Sequence, residues 1–482
     1  VTAPRLSVVA IELLERDVRL RMPFRFGVVT LTAAPQAFAR ATVRLADGRE
    51  ATGAAAELLA PKWFDKDPAL TNEDNFDQLR RATHLARAAY LDGEPDSAFG
   101  HFARHHAPHV ARCAAQGLNP LVANFGPALL DRAVLDATCR ALDVPFSRAV
   151  REDLVGLAPR AAALAPELEG FDTGAFLAAL RPAATIDARH TVGLVDPIVA
   201  ADVAARVGDG LPETLEEAVR HYGHRWFKLK VAGDVRADVD RLARIAAVLD
   251  ALPHPYACSL DGNEQYDDVE GVVALWRAMK AEPRLARLAA SVAFIEQPIR
   301  RARALARAID ALAAERPVIV DESDDSLDAF PRARALGYAG VSSKTCKGLY
   351  KSVINAARCV RWNREAGADR CFMSAEDLTI QAGLALQQDL ALVSLLGIGH
   401  VERNGHHYVD GLAAAPAAEQ QAFLDAHPDL YERSHGAVRV RIHDGRLAIG
   451  SLDGPPGFAS GAMPDWAPMR PMPDGWVARD GA

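Results

Sequence analysis

Five short apolar runs in this chain each end in charge, and they do so in a fixed order. They are Phe227-Lys228-Leu229-Lys230, Ser259-Leu260-Asp261-Gly262-Asn263, Phe294-Ile295-Glu296-Gln297-Pro298, Val320-Asp321-Glu322-Ser323 and Val341-Ser342-Ser343-Lys344. About 23 to 35 residues separate successive members, roughly one strand–helix unit of an eight-stranded β/α barrel. A buried strand gains nothing from a charge at its end, and burying an unpaired one is costly. Five such ends in series predict a parallel barrel whose strand tips converge on one polar site.

Composition sets the limits of that reading. The 482 residues are 50% hydrophobic and 24% charged, enough for a barrel and a second domain. A net charge of −8 and a pI near 6.0 argue against a nucleic-acid partner and against attraction to an anionic membrane. No run of about 18 apolar residues occurs, so no transmembrane helix is expected. The opening residues Val1 to Arg5 lead into a strand-like pattern unlike a signal peptide. The six cysteines show no Cys-x-x-Cys spacing and read as reduced core thiols of a cytoplasmic protein. No dinucleotide or Walker phosphate loop is present, so neither NAD nor ATP is implied.

Patterning divides the chain into three parts. Residues 1–185 are expected to form an α+β capping domain. It has antiparallel strands around Ser7–Leu13 and Ala37–Leu45, and an exposed loop over Met22–Gly27. Its helices follow, including the face Leu130, Ala133, Val134, Ala137 and Ala141. Residues 150–185, rich in Ala, Leu and Pro, read as a helical insertion. Residues 186–410 alternate short strands with helices over Asp238–Leu252, Val269–Lys280, Ala304–Ala314 and Tyr350–Ala366, which predicts the barrel. Residues 411–482 hold a hairpin pattern, Ala437–Ile442 with Leu447–Ile449, and a tail expected to pack back on the capping domain. The stretch His101 to His109 places His101 and His105 on one helix face. With no acid or cysteine beside them, they read as a solvated helix end.

The charged strand ends have a chemical logic. Lys228 and Lys230 are two apart on a strand and point the same way. Two adjacent ammonium groups repel, which predicts a lowered pKa for at least one and a lysine able to take a proton. Asp261, Glu296 and Asp321 come from successive units, and three such oxygen ligands suit octahedral Mg²⁺, with Mn²⁺ also fitting. Each acid taken alone could instead cap a helix. Glu322, beside Asp321, competes with it as ligand; Asp321 is favoured, with Glu322 and Asn263 supporting it from behind. Lys344 would stand across the pocket from Lys230, so two bases could serve opposite faces of one substrate. Lys347 reads as a helix-entry residue. Ser374, Glu376, Asp377, Glu402, Arg403, Asn404 and His406 are specificity candidates for which capping or surface roles fit equally well.

At these residues the chain resembles the enolase superfamily, in its muconate-lactonizing-enzyme form. The motifs are Lys228-Leu229-Lys230, Asp261-Gly262-Asn263-Glu264, Phe294-Ile295-Glu296-Gln297-Pro298, Val320-Asp321-Glu322-Ser323 and Lys344-Thr345-Cys346-Lys347-Gly348. Ala133 to Cys139 is similar to the family's helix before the barrel, and Pro23 to Gly27 to its substrate-capping loop. The resemblance implies a modified (β/α)₈ barrel with an α+β cap built from both chain ends. It implies Mg²⁺-assisted removal of the proton beside a substrate carboxylate, with Lys230 and Lys344 as the acid/base pair and an enediolate stabilised by the cation. Specificity would come from the loop at Phe24 and Arg25, with Arg25 as candidate for an anionic distal group. The expected partner is a small carboxylate, and the tendency of barrels to associate leaves a homo-oligomer open. The chain departs from relatives in having no His on the seventh strand, no Asp-x-Asp on the eighth, and Leu349 where a second Gly is usual. Racemisation, epimerisation or cycloisomerisation is the favoured outcome, with acid-sugar dehydration the alternative. A Schiff-base aldolase using Lys344 leaves the three acids unexplained, and a barrel reduced to binding leaves all five motifs unexplained.

Overall fold

A computed structural model describes residues 3–26 and 29–475. Three long antiparallel strands come first: β1 (Leu6–Phe26), β2 (Val29–Leu45) and β3 (Glu50–Leu58). The β2–β3 turn closes at Asp47-Gly48, where Gly48 takes a φ of +89°, the left-handed conformation a glycine adopts without strain. From Gly53 to Leu58 every side chain is buried, so β3 is covered on both faces.

Three helices follow: α1 (Asn72–Leu91), α2 (Ala98–Ala114) and α3 (Pro120–Leu142). Their starts are chemically specified. Thr71 and Asp74 form a reciprocal capping box on α1, and Asn119 caps α3 with Pro120 in the first turn. Leu121 through Cys139 of α3 are all buried, because α3 packs on β3 so closely that a Cβ on Gly53 would lie 2.0 Å from Ala137 N. Asp136 binds the amides of Ala54 and Phe458 at 2.8 and 2.6 Å, tying sheet, helix and C-terminal segment together.

Eight parallel strands then close a barrel: β4 (Thr185–Val192), β5 (Trp226–Lys230), β6 (Ala257–Asp261), β7 (Val292–Glu296), β8 (Val318–Val320), β9 (Gly340–Ser343), β10 (Phe372–Ala375) and β11 (His400–Arg403). Pairing of β11 with β4 completes the ring. Its interior floor is aromatic: Trp226 stacks on His400 at 3.9 Å and Arg189 lies 5.3 Å over Phe294. After the barrel come β12 (Tyr431–Ser434), β13 (Ala437–Val440), β14 (Arg446–Ala448) and β15 (Arg470–Pro471). β15 pairs with β1. Among the described residues no helix is long and apolar enough to cross a membrane.

The barrel and its antiparallel cap are as the sequence predicts; several local features are not. Met22–Phe26 is not a loop, since β1 runs on through it and pairs Phe24 with Leu31; Gly27 lies outside the described residues. The helix expected over Ala304–Ala314 is two short turns, Arg301–Ala304 and Asp310–Ala313. The expected C-terminal hairpin does not form, because β13 pairs back with β12 while β14 joins β4. His101 and His109 are not solvated: they are 0% and 1% exposed, bonded to the carbonyls of Leu6 and Ala123. The six cysteines are buried and free.

Candidate active site

The tips of β6, β7 and β8 are bound to one another by main chain before any side chain acts. Gly262 N donates to Glu296 O at 3.1 Å and Glu264 N to Gln297 O at 2.9 Å. Gln297 Oε1 accepts from the amides of Asp321 and Ser323 at 2.8 and 3.0 Å. Gly262 is required here, since a Cβ would meet Pro298 Cα at 2.6 Å. The short Asp-Gly-Asn and Glu-Gln-Pro motifs therefore act as a clamp that fixes three carboxylates relative to one another.

Lys228 stands at the centre of the acids. Its Nζ lies 2.9 Å from Asp261, 2.9 Å from Glu296, 2.7 Å from Glu376 and 2.9 Å from Glu402. Lys230 donates to Asp261 at 2.5 Å. Across the barrel, Lys344 donates to Asp321 at 2.6 Å, and Lys347 lies 3.2 Å from Asp321 and 3.1 Å from Asp324. Arg189 pairs with Glu376, to which Ser374 also donates at 2.6 Å. Thr191 donates to Glu402 at 2.6 Å.

These pairings set the charge states. Burial alone would strip the Lys228 proton, but its four carboxylates outweigh that and hold its pKa well above the usual lysine value. The expectation that the Lys228–Lys230 repulsion would lower a pKa fails for Lys228, because the carboxylates arrive from other strands. Lys344 is likewise raised: burial opposes its charge, and Asp321 prevails. Burial pushes Asp261, Asp321, Glu376 and Glu402 upward, yet the neighbouring cations bring all four below the usual range. Glu296 is the exception. Burial and then the charges of Asp261 and Glu376 push it well above the usual value. Lys228 donates to its Oε1, while Oε2 is buried with no hydrogen-bond partner. Glu322 Oε2 is orphaned in the same way. Lys228 also lies 2.9 Å from Glu296 Oε2, so lysine ammonium groups pair with Asp261, Glu296 and Asp321; three carboxylates on one clamp are the hard oxygen donors that a divalent cation would take in place of those amines.

Above this floor lies a narrow cavity bordered by Phe24, Leu31, Trp63, Lys230, Asn263, Lys344, Asp377, Thr379, Glu402 and Asn404. β5 and β9 are the second and sixth of eight strands, so Lys230 and Lys344 face the cavity from opposite sides. Burial raises Asp377 to about 6. Phe24 stacks on Tyr408 at 4.2 Å.

The structure thus brings together Lys228, Lys230, Lys344, Asp261, Glu296, Asp321, Asn263, Glu322, Ser374, Glu376, Glu402 and Phe24. Arg25 is not brought in: it is exposed on the face of β1 opposite Phe24. Surface and capping roles are excluded for Glu376 and Glu402, which are buried among the cations. Sequence reasoning missed Arg189, Thr191, Trp63 and Lys66. Trp63 lies under Lys344 Nζ at 4.6 Å. Lys66 reaches Asn263 O at 3.0 Å and Glu322 at 3.4 Å, and pairs with Glu264. The only local signal for these two was an aromatic and basic Trp63-Phe64-Asp65-Lys66 between prolines.

Residues 210–458 match a family model described as enolase C-terminal domain-like. No curated protein sequence matches the chain significantly. Solved structures do. The muconate lactonizing enzyme of Pseudomonas fluorescens, complexed with muconolactone, is 18% identical over 95% of this chain and 97% of its own, with a TM-score of 0.56. The L-Ala-D/L-Glu epimerase of Bacillus subtilis is 15% identical over 94% and 98%, TM-score 0.56. A mandelate racemase/muconate lactonizing protein of Herpetosiphon aurantiacus is 18% identical over 92% and 98%, TM-score 0.54. At these identities the likeness is one of fold.

Proposed function

The chain belongs to the enolase superfamily, among proteins of the mandelate racemase and muconate lactonizing type, and from that membership we propose that it isomerises a small carboxylate by moving the proton on its α-carbon. It is an enzyme of the isomerase and lyase kind. The observation that carries the reading is the pair of lysines, Lys230 and Lys344, bordering one cavity from opposite barrel strands.

The substrate's carboxylate enters toward the acid cluster and its α-carbon lies between the two amines. One lysine removes the α-proton, leaving an enediolate, and the other returns a proton to the opposite face; racemisation or epimerisation follows. Cycloisomerisation uses the same positions when the accepting carbon belongs to a ring. Lys228, held cationic at the floor, offsets the charge of Asp261, Glu296, Glu376 and Glu402. Phe24, Leu31 and Trp63 line the cavity with apolar surface, which strengthens the electrostatic interactions inside it. Asp377, Glu402 and Asn404 contact the distal part. Asp261, Glu296 and Asp321 would hold Mg²⁺, or Mn²⁺ in its place, which would supply positive charge where the enediolate forms; with those acids so engaged, Lys230 and Lys344 would be free to accept a proton. An imine-forming aldolase using Lys344 would leave Asp261, Glu296 and Asp321 without a task.

The test is α-proton exchange in D₂O across a panel of acid sugars, dipeptides and lactones, followed by NMR. EDTA should abolish exchange and Mg²⁺ restore it. Exchange that survives complete chelation would overturn the reading.

A further inference from the structure

A second group of buried side chains lies outside the acid cluster and takes no part in the proton transfer. Arg189 and Thr191 reach inward to Glu376 and Glu402, so His190 between them points out of the barrel. His224 precedes β5, and His406 follows β11. Both strands pair with β4, so the three imidazoles meet on the outer side of the seam where the barrel closes. Ring centroids are 4.9 Å apart for His190 and His224, 5.5 Å for His190 and His406, and 5.4 Å for His224 and His406.

These imidazoles are short of partners. His190 Nδ1, His224 Nε2 and both nitrogens of His406 are buried without a hydrogen bond. One nitrogen from each ring lies within 4.8 Å of the other two. His224 Nδ1 is 3.2 Å from Ala188 O, which places its proton on Nδ1 and the lone pair on Nε2, facing the cluster. Burial drives His224 down to about 4 and the other two well below the usual value, so all three are neutral. Ring nitrogens buried without a hydrogen bond are unfavourable as packing alone.

We propose that His190, His224 and His406 form a transition-metal site, zinc-like in preference, that pins the barrel seam. Three neutral nitrogens and no carboxylate select a borderline ion such as Zn²⁺ or Co²⁺ and reject Mg²⁺. A tetrahedral zinc ion sets ligand nitrogens about 3.3 Å apart, so modest ring rotations close the site. His406 is partly exposed, which gives the ion an entry and leaves one coordination position to water.

The experiment uses full-length protein stripped with chelator and reloaded with Co²⁺ in the presence of excess Mg²⁺. We expect intense visible bands of low-coordinate cobalt, saturating near one ion per chain and displaced by Zn²⁺. His406→Asn should abolish the bands while leaving the circular dichroism spectrum and the metal-free melting temperature unchanged. His190→Asn should do the same to the bands. Asp261→Asn should retain them, which separates this site from the acid cluster. A weak six-oxygen cobalt spectrum, or bands that persist in both histidine variants, would overturn the proposal.

Discussion

The barrel mouth and the helical cap both bury many polar groups, but the mouth joins its charges in one network, whereas the cap holds isolated pairs and neutral groups. At the mouth Lys228, Asp261, Glu376 and Glu402 are all ionised, each offsetting the others. In the cap, neutral groups such as His109 and Asp131 lie beside isolated buried pairs, Arg132–Glu57 and Arg80–Glu15. His109 is held near 4, chiefly by burial. Asp131 is raised to about 8, again by burial, and keeps a proton beside the Tyr90 hydroxyl. Removing one charge at the mouth strands its partners, whereas a neutral cap residue has only its own desolvation to lose.

The largest effect should come from the two amines. Lys344→Ala is expected to lower interconversion by about 10²–10⁴-fold, while deuterium still enters the isomer whose proton faces Lys230. Lys230→Ala should show the mirror result. NMR of each isomer separately checks this, and equal loss of exchange in both isomers would contradict a two-sided site. Next in size is Arg189→Met. It leaves Glu376 with Lys228 but without its second cation, and should reduce the unfolding free energy by roughly 3 kcal/mol, read by urea titration. A variant as stable as the parent would mean that the mouth's charges are not mutually dependent.

The smallest effect separates the cap from the mouth by pH. His109 has a folded value near 4 against 6.5 when unfolded. Its neutral state is lost more readily in the unfolded chain, so its contribution is complete above about 6.5 and falls away as pH drops toward 4. Relative to the parent, His109→Gln should therefore gain stability over that window, by about 2 kcal/mol at pH 5. Urea midpoints measured across the window provide the check; a pH-independent difference would mean that His109 titrates alike in the folded and unfolded chains.

Much of this was legible because strand-end charges are a local signal. Lys228-x-Lys230, Asp261, Glu296, Asp321 and Lys344 announce both the barrel and its mouth, since each sits where an apolar run stops. The alternation that gave α3 its face and the barrel its helices is equally local. What escaped was long-range. Arg189 sits inside a strand, Lys66 and Trp63 sit in a loop remote in sequence, and neither pattern says what they will touch. Glu376 and Glu402 look like ordinary caps until Lys228 arrives from another strand. Phe24 and Arg25 read as one loop, but the pairing of Phe24 with Leu31 makes them a strand, and adjacent strand residues face opposite ways.

Trp63 beneath Lys344 has one more consequence. The amine belongs to the barrel, whereas the indole that covers it comes from the other architectural half, and so does Lys66 over Glu322 and Glu264. A barrel produced by itself would leave that amine bathed in water and its acids bare on one side. Reactivity in this molecule is therefore a property of the joint between its halves, and new substrate preferences can arise in the covering half while the proton-moving half stays as it is.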